Sequence, residues 1–311
     1  MRAIGQDTLG GPEVLKIVEV ERPEAGPSEV LVRVHAAGVN PTDSWHRATG
    51  GLMHSGPIRL GWDVSGVVEA VGLGVTLYAP GDEVYGMPRL PYEAGAYAEY
   101  LVAPARHLAR KPAGISHVQA AALPLAALTA WQTLVDTANV RAGQRVLVHA
   151  AAGGVGHLAV QIAKARGAYV IGTARADKHE FVRGLGADEV VDYTSVAFET
   201  VVGDVDIVLD CVGGEYGPRS LTTLRQGGIL LSIASAAEAY LAEEARAVGR
   251  RGGFTIVEPD HAGLKEITAL VEAGALRAEI DTVLPLEQAG KAHEMNDTRR
   301  TTGKIVLTVV D

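Results

Sequence analysis

A single cysteine, Cys211, among 311 residues excludes a disulfide framework within the chain and any multi-cysteine zinc lobe. It lies in the strand-like run Val205-Asp-Ile-Val-Leu-Asp-Cys-Val212, where a small buried hydrophobe is expected rather than a reactive thiol. Basic runs are missing as well. Arg250-Arg251 and Arg299-Arg300 are only pairs, and the net charge is −9, which argues against a nucleic-acid or anionic-membrane surface. The alanine-rich stretch 120–131 is too short to cross a bilayer and contains Pro124. Met1-Arg-Ala-Ile-Gly-Gln-Asp carries no apolar signal segment, and there are no internal repeats or low-complexity linkers. A soluble, cytoplasmic protein is expected. Its length corresponds to about two domains and buries roughly 75% of the unfolded surface without staples.

Two textures follow one another along the chain. The first part has β-branched or aromatic runs at 30–34, 66–71 and 97–102, broken by Gly-Pro, Pro-Gly-Asp and Gly-Met-Pro. From residue 117 onward the text alternates. Strands are expected at 146–149, 169–173, 189–192, 207–210, 229–233 and 254–257, and helices at 156–166, 178–185 and 218–224. Strands alternating with helices predict an α/β chain with a doubly wound parallel sheet. Beyond 262–273 strand-like text returns at 278–284 and 304–309, so the last segment is expected to rejoin the first domain.

The most informative stretch is Arg145-Val-Leu-Val-His-Ala-Ala-Ala-Gly-Gly-Val-Gly156 with the following His157-Leu-Ala-Val-Gln-Ile-Ala-Lys-Ala-Arg166. A buried strand turns through small residues into a helix with Leu158, Ala159, Ile162 and Ala163 on one face. Such a turn gathers backbone N–H groups at a helix N-terminus and suits an anion. Ala151-x-Gly153-x-x-Gly156 is the dinucleotide fingerprint with alanine in place of the first glycine. Ala152, Gly153, Gly154, Val155 and Gly156 are the candidate pyrophosphate cradle. Glycine turns are common and most bind nothing, but here the strand before and the βαβ unit after supply the required context.

The second strand ends Ile171-Gly-Thr-Ala-Arg175, with no acid at Thr173, Ala174 or Arg175 to meet a ribose 2′-hydroxyl. Arg175 offers a fork for a phosphate dianion, Thr173 a hydroxyl, and Lys178 a second cation. NADPH is therefore expected over NADH. Asp177 can pair with either cation, and the alternative reading makes both solvated residues at a helix start.

Over essentially its whole length the chain resembles the zinc-independent quinone oxidoreductase branch of the medium-chain dehydrogenase/reductase family. The resemblance is carried by Gly10-Gly-Pro-Glu-Val-Leu15, Gly38-Val-Asn-Pro-Thr-Asp43, Ala79-Pro-Gly-Asp-Glu-Val84, and residues 149–156. Gly186-Ala-Asp-Glu-Val-Val-Asp-Tyr193, residues 206–214 and Gly303-Lys-Ile-Val-Leu307 complete it. It implies a Rossmann-type NADP-binding domain, 117–274, and a β-rich GroES-like catalytic domain, 1–116 completed by 275–311, with the active site in the cleft. Zinc-dependent members carry a cysteine near the Asn40 position and a Gly-His-Glu motif; this chain has Asn40 and Gly61-Trp62-Asp63. No other Cys or His–Glu pair replaces those ligands, so no catalytic metal is expected.

Without a Lewis acid, the implied chemistry is hydride delivery from NADPH to a polarised acceptor, a small-molecule quinone or enone. The acceptor oxygen then needs hydrogen-bond donors. The resemblance places Asn40 and Trp45 there, with His46 and Arg47 as further candidates; residues 40–60 hold no tyrosine, which leaves the proton donor open. It also implies Thr129 near the nicotinamide, Tyr193 near the adenosine end and Ser235 on the cofactor edge of a strand. Lys304 either reaches the cleft or is structural. Residues 45–59 are the acceptor loop that varies most among relatives, and 254–257 the edge strand through which relatives form homodimers. Two other functions stand beside the reductase: a non-catalytic NADPH-binding structural or sensing protein, and a zinc-free alcohol dehydrogenase, which lacks an evident general base.

Overall fold

A computed structural model describes residues 1–311 apart from 54, 55, 57, 310 and 311. Positions 54, 55 and 57 fall in the acceptor loop 45–59, which to that extent lies outside the described residues. The chain forms two compact units, Met1–Leu128 with Glu258–Asp311, and Thr129–Val257. These limits differ from 116 and 275 because tertiary bonds assign the flanking segments. Leu125 N–H donates to Asp63 and His117 Nδ1 meets Ser65 Oγ, which ties the segment after residue 116 to the first unit. Tyr85 donates to Leu264 O and His261 to Leu108 O, which does the same for the helix His261–Glu272.

The first unit is built on the long strand Glu29–Val39, whose Val30, Leu31, Val32, Val34, Ala36 and Ala37 are buried. It pairs antiparallel with Asp63–Val71, with Tyr100–Pro104 and with the C-terminal strand Lys304–Thr308. Glu83–Gly86 and Leu108–Arg110 extend the sheet on one side, and Ile280–Pro285 on the other. The strand expected at 97–102 begins only at Tyr100. Tyr97 is fully buried, with its ring against His293, and its backbone serves Ile4 N–H rather than the ladder.

In the second unit six strands run parallel. Their spatial order is Glu189–Asp192, Tyr169–Ala174, Arg145–Val148, Val205–Asp210, Leu224–Ser232, Arg251–Phe254. In chain order this reads third, second, first, fourth, fifth, sixth, the doubly wound arrangement. Leu147, Ile171, Val208 and Leu230 from adjacent strands meet Phe198, Leu221 and Leu241 in one core. The helix Gly156–Ala165 follows the first strand, and His179–Gly184 and Tyr216–Leu221 follow later ones. The last strand is Arg251–Phe254, not 254–257. Thr255, Ile256 and Val257 have strand-forming side chains, but the neighbouring strand ends at Ser232, opposite Phe254, and only Thr255 N–H still finds a carbonyl there. Among the described residues no helix is long and apolar enough to cross a membrane.

Candidate active site and nucleotide site

The nucleotide loop is shaped by where a methyl group can and cannot go. A Cβ on Gly156 would lie 2.2 Å from Ala150 O, so only glycine lets the helix start this close to its strand. At Gly153 the nearest atom to a built Cβ is 3.2 Å away, so the protein's own packing asks less for a glycine there than an approaching ligand does. The alanine that replaces the first fingerprint glycine is accommodated from across the sheet. A Cβ on Gly172 would meet the Ala151 methyl at 2.8 Å, so the missing side chain has moved to the second strand. Ala150 takes the left-handed turn, with φ of 50°. Val155 caps the helix Gly156–Ala165 without a side-chain acceptor, and the N–H groups of His157 and Leu158 turn back to Gly153 O and Val155 O. Residues 152–155 are half-exposed, while Gly156 is buried.

At the end of the second strand, Arg175 Nε donates to Tyr193 Oη at 3.2 Å, so two residues expected at the adenosine end are brought together. Lys178 ends the short 3-10 turn Ala176–Lys178 that follows. Thr173 is placed otherwise. It is fully buried and its hydroxyl accepts from Ala150 N–H and meets His149 Nδ1 at 3.1 Å, so it is not presented to a phosphate. His149 is the hidden part of this site. Its Nε2 meets Ser220 Oγ at 2.9 Å, and its ring lies edge-on to Phe198 and Tyr216. Burial, and then the Arg219 charge, push its pKa down to about 3, so the ring is a neutral strut. Thr129 is buried near the start of this unit, and Ser235 is exposed, its Oγ accepting from Ala237 N–H.

In the first unit, strand register assembles a buried charged cluster. Ile305 lies opposite Val39 and Gly38 opposite Asp63, which sets Lys304, Asn40 and Asp63 side by side at one end of three neighbouring strands. All three are buried, at 3%, 2% and 0% exposure. Asp63 Oδ1 accepts from Leu125 N–H at 2.6 Å; its Oδ2 accepts from Asn40 Nδ2 at 2.9 Å and Lys304 Nζ at 3.2 Å. Lys304 also donates to Val39 O at 3.0 Å and to Asn40 Oδ1. A Cβ on Gly38 would sit 2.8 Å from Asp63 Oδ2, so that glycine makes room for the carboxylate. Lys304, expected either to reach the cleft or to be structural, is thus placed inside the first unit with an acceptor for each of its three protons.

A second chain of bonds holds the same segment from the other side. Asp43 accepts from Asn40 N–H at 2.8 Å and Gly61 N–H at 3.0 Å, and Tyr97 hydrogen-bonds to it as well. Burial raises the Asp43 pKa to about 7, with neighbouring Asp63 adding to the effect and the hydrogen bonds from Asn40 and Gly61 and the Lys304 charge opposing it. Arg47 donates to His293 Nδ1 at 2.9 Å, which leaves the proton on Nε2, 3.4 Å from Tyr97 Oη. Arg47 further donates to Gly10 O and Asp297, so it is no free donor for an acceptor oxygen. Nor is His46, which is buried, gives its Nδ1 hydrogen to Thr42 O at 2.8 Å and packs on Trp62. Trp45 alone of the loop candidates is well exposed, at 44%, on the helix Pro41–Thr49.

A metal does not fit this donor set. Where zinc-dependent members hold ligands, Asn40 and Asp63 are bonded to a lysine ammonium, and Trp62 donates its indole N–H to Tyr92 O. Among the described residues no three His, Cys, Asp or Glu side chains are grouped to hold an ion. Asp43, Asp63, Tyr97, His149 and His293 carry these networks. In the sequence Asp43, Asp63 and His149 stand within motifs and Tyr97 within a strand-like run, none with a partner assigned, and nothing local marks His293.

Residues 26–113 match the family described as Alcohol dehydrogenase GroES-like domain, and residues 185–307 match Zinc-binding dehydrogenase. The chain is 35% identical to a 2-haloacrylate reductase from Burkholderia, covering 96% of each sequence. The quinone oxidoreductase structure from Coxiella burnetii superposes with a TM-score of 0.95 at 37% identity, over 100% of this chain and 99% of that one. The Escherichia coli quinone oxidoreductase, solved with NADPH, superposes at 0.86 and 29% identity, over 99% and 100%. The chain belongs to the zinc-independent quinone oxidoreductase branch of the medium-chain dehydrogenase/reductase family. It is an NAD(P)H-dependent oxidoreductase with a GroES-like and a Rossmann-type unit.

The buried histidines predict how stability responds to acid. His149 and His293 are lowered to about 3 and His117 to about 4, all chiefly by burial. Folded protein therefore binds fewer protons than unfolded chain below pH 6.5, and stability falls as pH drops through that window. Asp43 acts in the opposite sense, because its folded form keeps a proton that the unfolded chain releases above about pH 4. Three histidines outweigh one carboxyl. His149 and His293 each contribute a loss of about 1.5 kcal/mol between pH 6.5 and 5, and the half-buried His117 less. His149→Gln, which retains hydrogen-bonding capacity without a titrating ring, should lose less stability than wild type between pH 7.5 and 5 in urea denaturation. Parallel losses would remove His149 from the account.

Proposed function

We propose that the protein is an NADPH-dependent reductase that transfers hydride to a small-molecule quinone or α,β-unsaturated carbonyl without a metal. The observation that carries this reading is the buried Lys304–Asp63–Asn40 cluster at the place of the missing metal ligands. The names of the relatives, a quinone oxidoreductase bound to NADPH and a reductase of a halogenated acrylate, support the same acceptor class. The residues present fit the dinucleotide. Residues 152–156 would hold the pyrophosphate, Arg175 with Lys178 the 2′-phosphate, and Tyr193 the adenosine end, with Thr129 and Ser235 toward the nicotinamide. When bound, the cofactor supplies a hydride.

The chain's own residues then have one task, to meet the negative charge that develops on the acceptor oxygen. Asn40 Nδ2 carries two hydrogens and donates one to Asp63; the other is the donor proposed for the oxygen. The indole N–H of the exposed Trp45 is a second donor on the same helix start. The same reading makes the protein a cytoplasmic homodimer joined along the edge strand Arg251–Phe254, with neither nucleic acid nor membrane as partner.

Arg175→Ala should weaken NADPH binding by about 10- to 150-fold, the loss of one charged hydrogen bond, and leave NADH nearly unchanged. Titration of both nucleotides by fluorescence checks this, and equal losses would show that the arginine does not read the phosphate.

Turnover should survive a strong chelator, and the purified protein should hold no stoichiometric zinc by elemental analysis. One zinc per chain, with activity lost on chelation, would overturn the metal-free reading.

Asn40→Ala should lower kcat toward a naphthoquinone or enone by about 10²–10³ with NADPH affinity close to wild type. Trp45→Phe keeps the ring and deletes the N–H. Full kcat in the first variant with loss in the second would assign the oxygen to the indole. No turnover of any quinone, enone or enoyl thioester by the wild type, despite tight NADPH binding, would favour the non-catalytic binder.

A further inference from the structure

An asparagine amide can be turned by half a revolution, exchanging its oxygen and its NH2 group, and its neighbours decide which way it lies. Around Asn40 both neighbours are charged. Oδ1 faces the Lys304 ammonium and Nδ2 faces Asp63 Oδ2 at 2.9 Å. The reversed amide would set NH2 against ammonium and a carbonyl against a carboxylate, replacing two charge-assisted hydrogen bonds by two repulsions. The frame around it is itself fixed. Lys304 is held by Val39 O at 3.0 Å and Asp63 by Leu125 N–H at 2.6 Å, and the Asn40 backbone N–H is held by Asp43 at 2.8 Å.

We propose that Lys304 is a positioning residue for the reduction: a fixed, buried cation that locks the Asn40 amide so that its second Nδ2 hydrogen is always the one offered to the acceptor oxygen. This rests on the reading of Asn40 as the oxygen-binding donor. Lys304 touches neither substrate nor cofactor, because its three protons already have three acceptors. Asp63 is its counterpart, the anion that draws the NH2 group to the other side.

The test is a double-mutant cycle on kcat for a quinone or enone, with NADPH affinity measured alongside. Lys304→Met should lower kcat roughly 10²-fold, as loss of one oxyanion donor does, and leave the NADPH dissociation constant unchanged. Asn40→Ala/Lys304→Met should be no slower than Asn40→Ala, because both changes remove the same donor. Lys304→Met leaves Asp63 as a lone buried charge, and that variant can fail to fold. Lys304→Met/Asp63→Asn removes both charges at nearly constant volume and should show the same loss of kcat. Impaired Asn40→Ala beside full kcat in the lysine variants overturns the positioning role, as do losses that multiply in the double variant. Full kcat in Asn40→Ala overturns instead the assignment of Asn40 as donor.

Discussion

The carboxylate of Asp63 is the interaction on which the first unit's functional end depends. It is fully buried, and it binds a backbone N–H, a side-chain amide and an ammonium that come from residues 125, 40 and 304. A carboxylate removed from water is tolerable only when its lone pairs are satisfied and a cation is near. Here the cation comes from the C-terminal strand, so the last residues of the chain neutralise a charge placed near residue 60. This ties three segments into one rigid corner. It also explains why the segment at 125 packs with the first unit, since Leu125 N–H is one of the three donors.

Beside that corner the second chain, Asp43–Tyr97–His293–Arg47, gives the helix Pro41–Thr49 its orientation. Each partner's proton is assigned by the next. The arginine can only donate, so the imidazole accepts on Nδ1 and its hydrogen sits on Nε2. The helix start is thus held by two carboxylates, Asp43 at the backbone of Asn40 and Asp63 at its side chain. Preorganisation of this kind is what a donor to a developing oxyanion requires, because no reorganisation remains to be done when charge appears.

The second unit uses neutral groups for the equivalent purpose. His149 bridges Thr173 and Ser220, linking the ends of the first two strands to the helix Tyr216–Leu221, and stays uncharged because it is enclosed by Phe198 and Tyr216. The nucleotide loop rests on this strut through Ala150 and Ala151, both bonded to Thr173. Steric economy finishes the loop. The methyl of Ala151 occupies space left by Gly172, and Gly156 allows the helix to begin against Ala150.

Local pattern was enough to determine the parallel sheet and the glycine turn at 153–156, while the exchange of metal-ligand types at 40 and 61–63 was legible through the family resemblance. Each is a short-range property: periodicity, the absence of a Cβ, or the identity of a side chain at one position. Arg175 and Tyr193 were each singled out in the sequence, and the structure joins them by a hydrogen bond. What local pattern could not decide was direction and partnership. Lys304 bonds to Val39, Asn40 and Asp63 because antiparallel register places it beside residues more than 240 positions away. Thr173 turns to His149, and His46 and Arg47 to Thr42 and His293, because a buried polar group takes whichever partner the packing brings. The edge strand moved from 254–257 to Arg251–Phe254 for a similar reason, since a strand extends only as far as its neighbour does. Which side chains are present was written in the chain; which of them meet was decided by strand register and burial, which are properties of the folded whole.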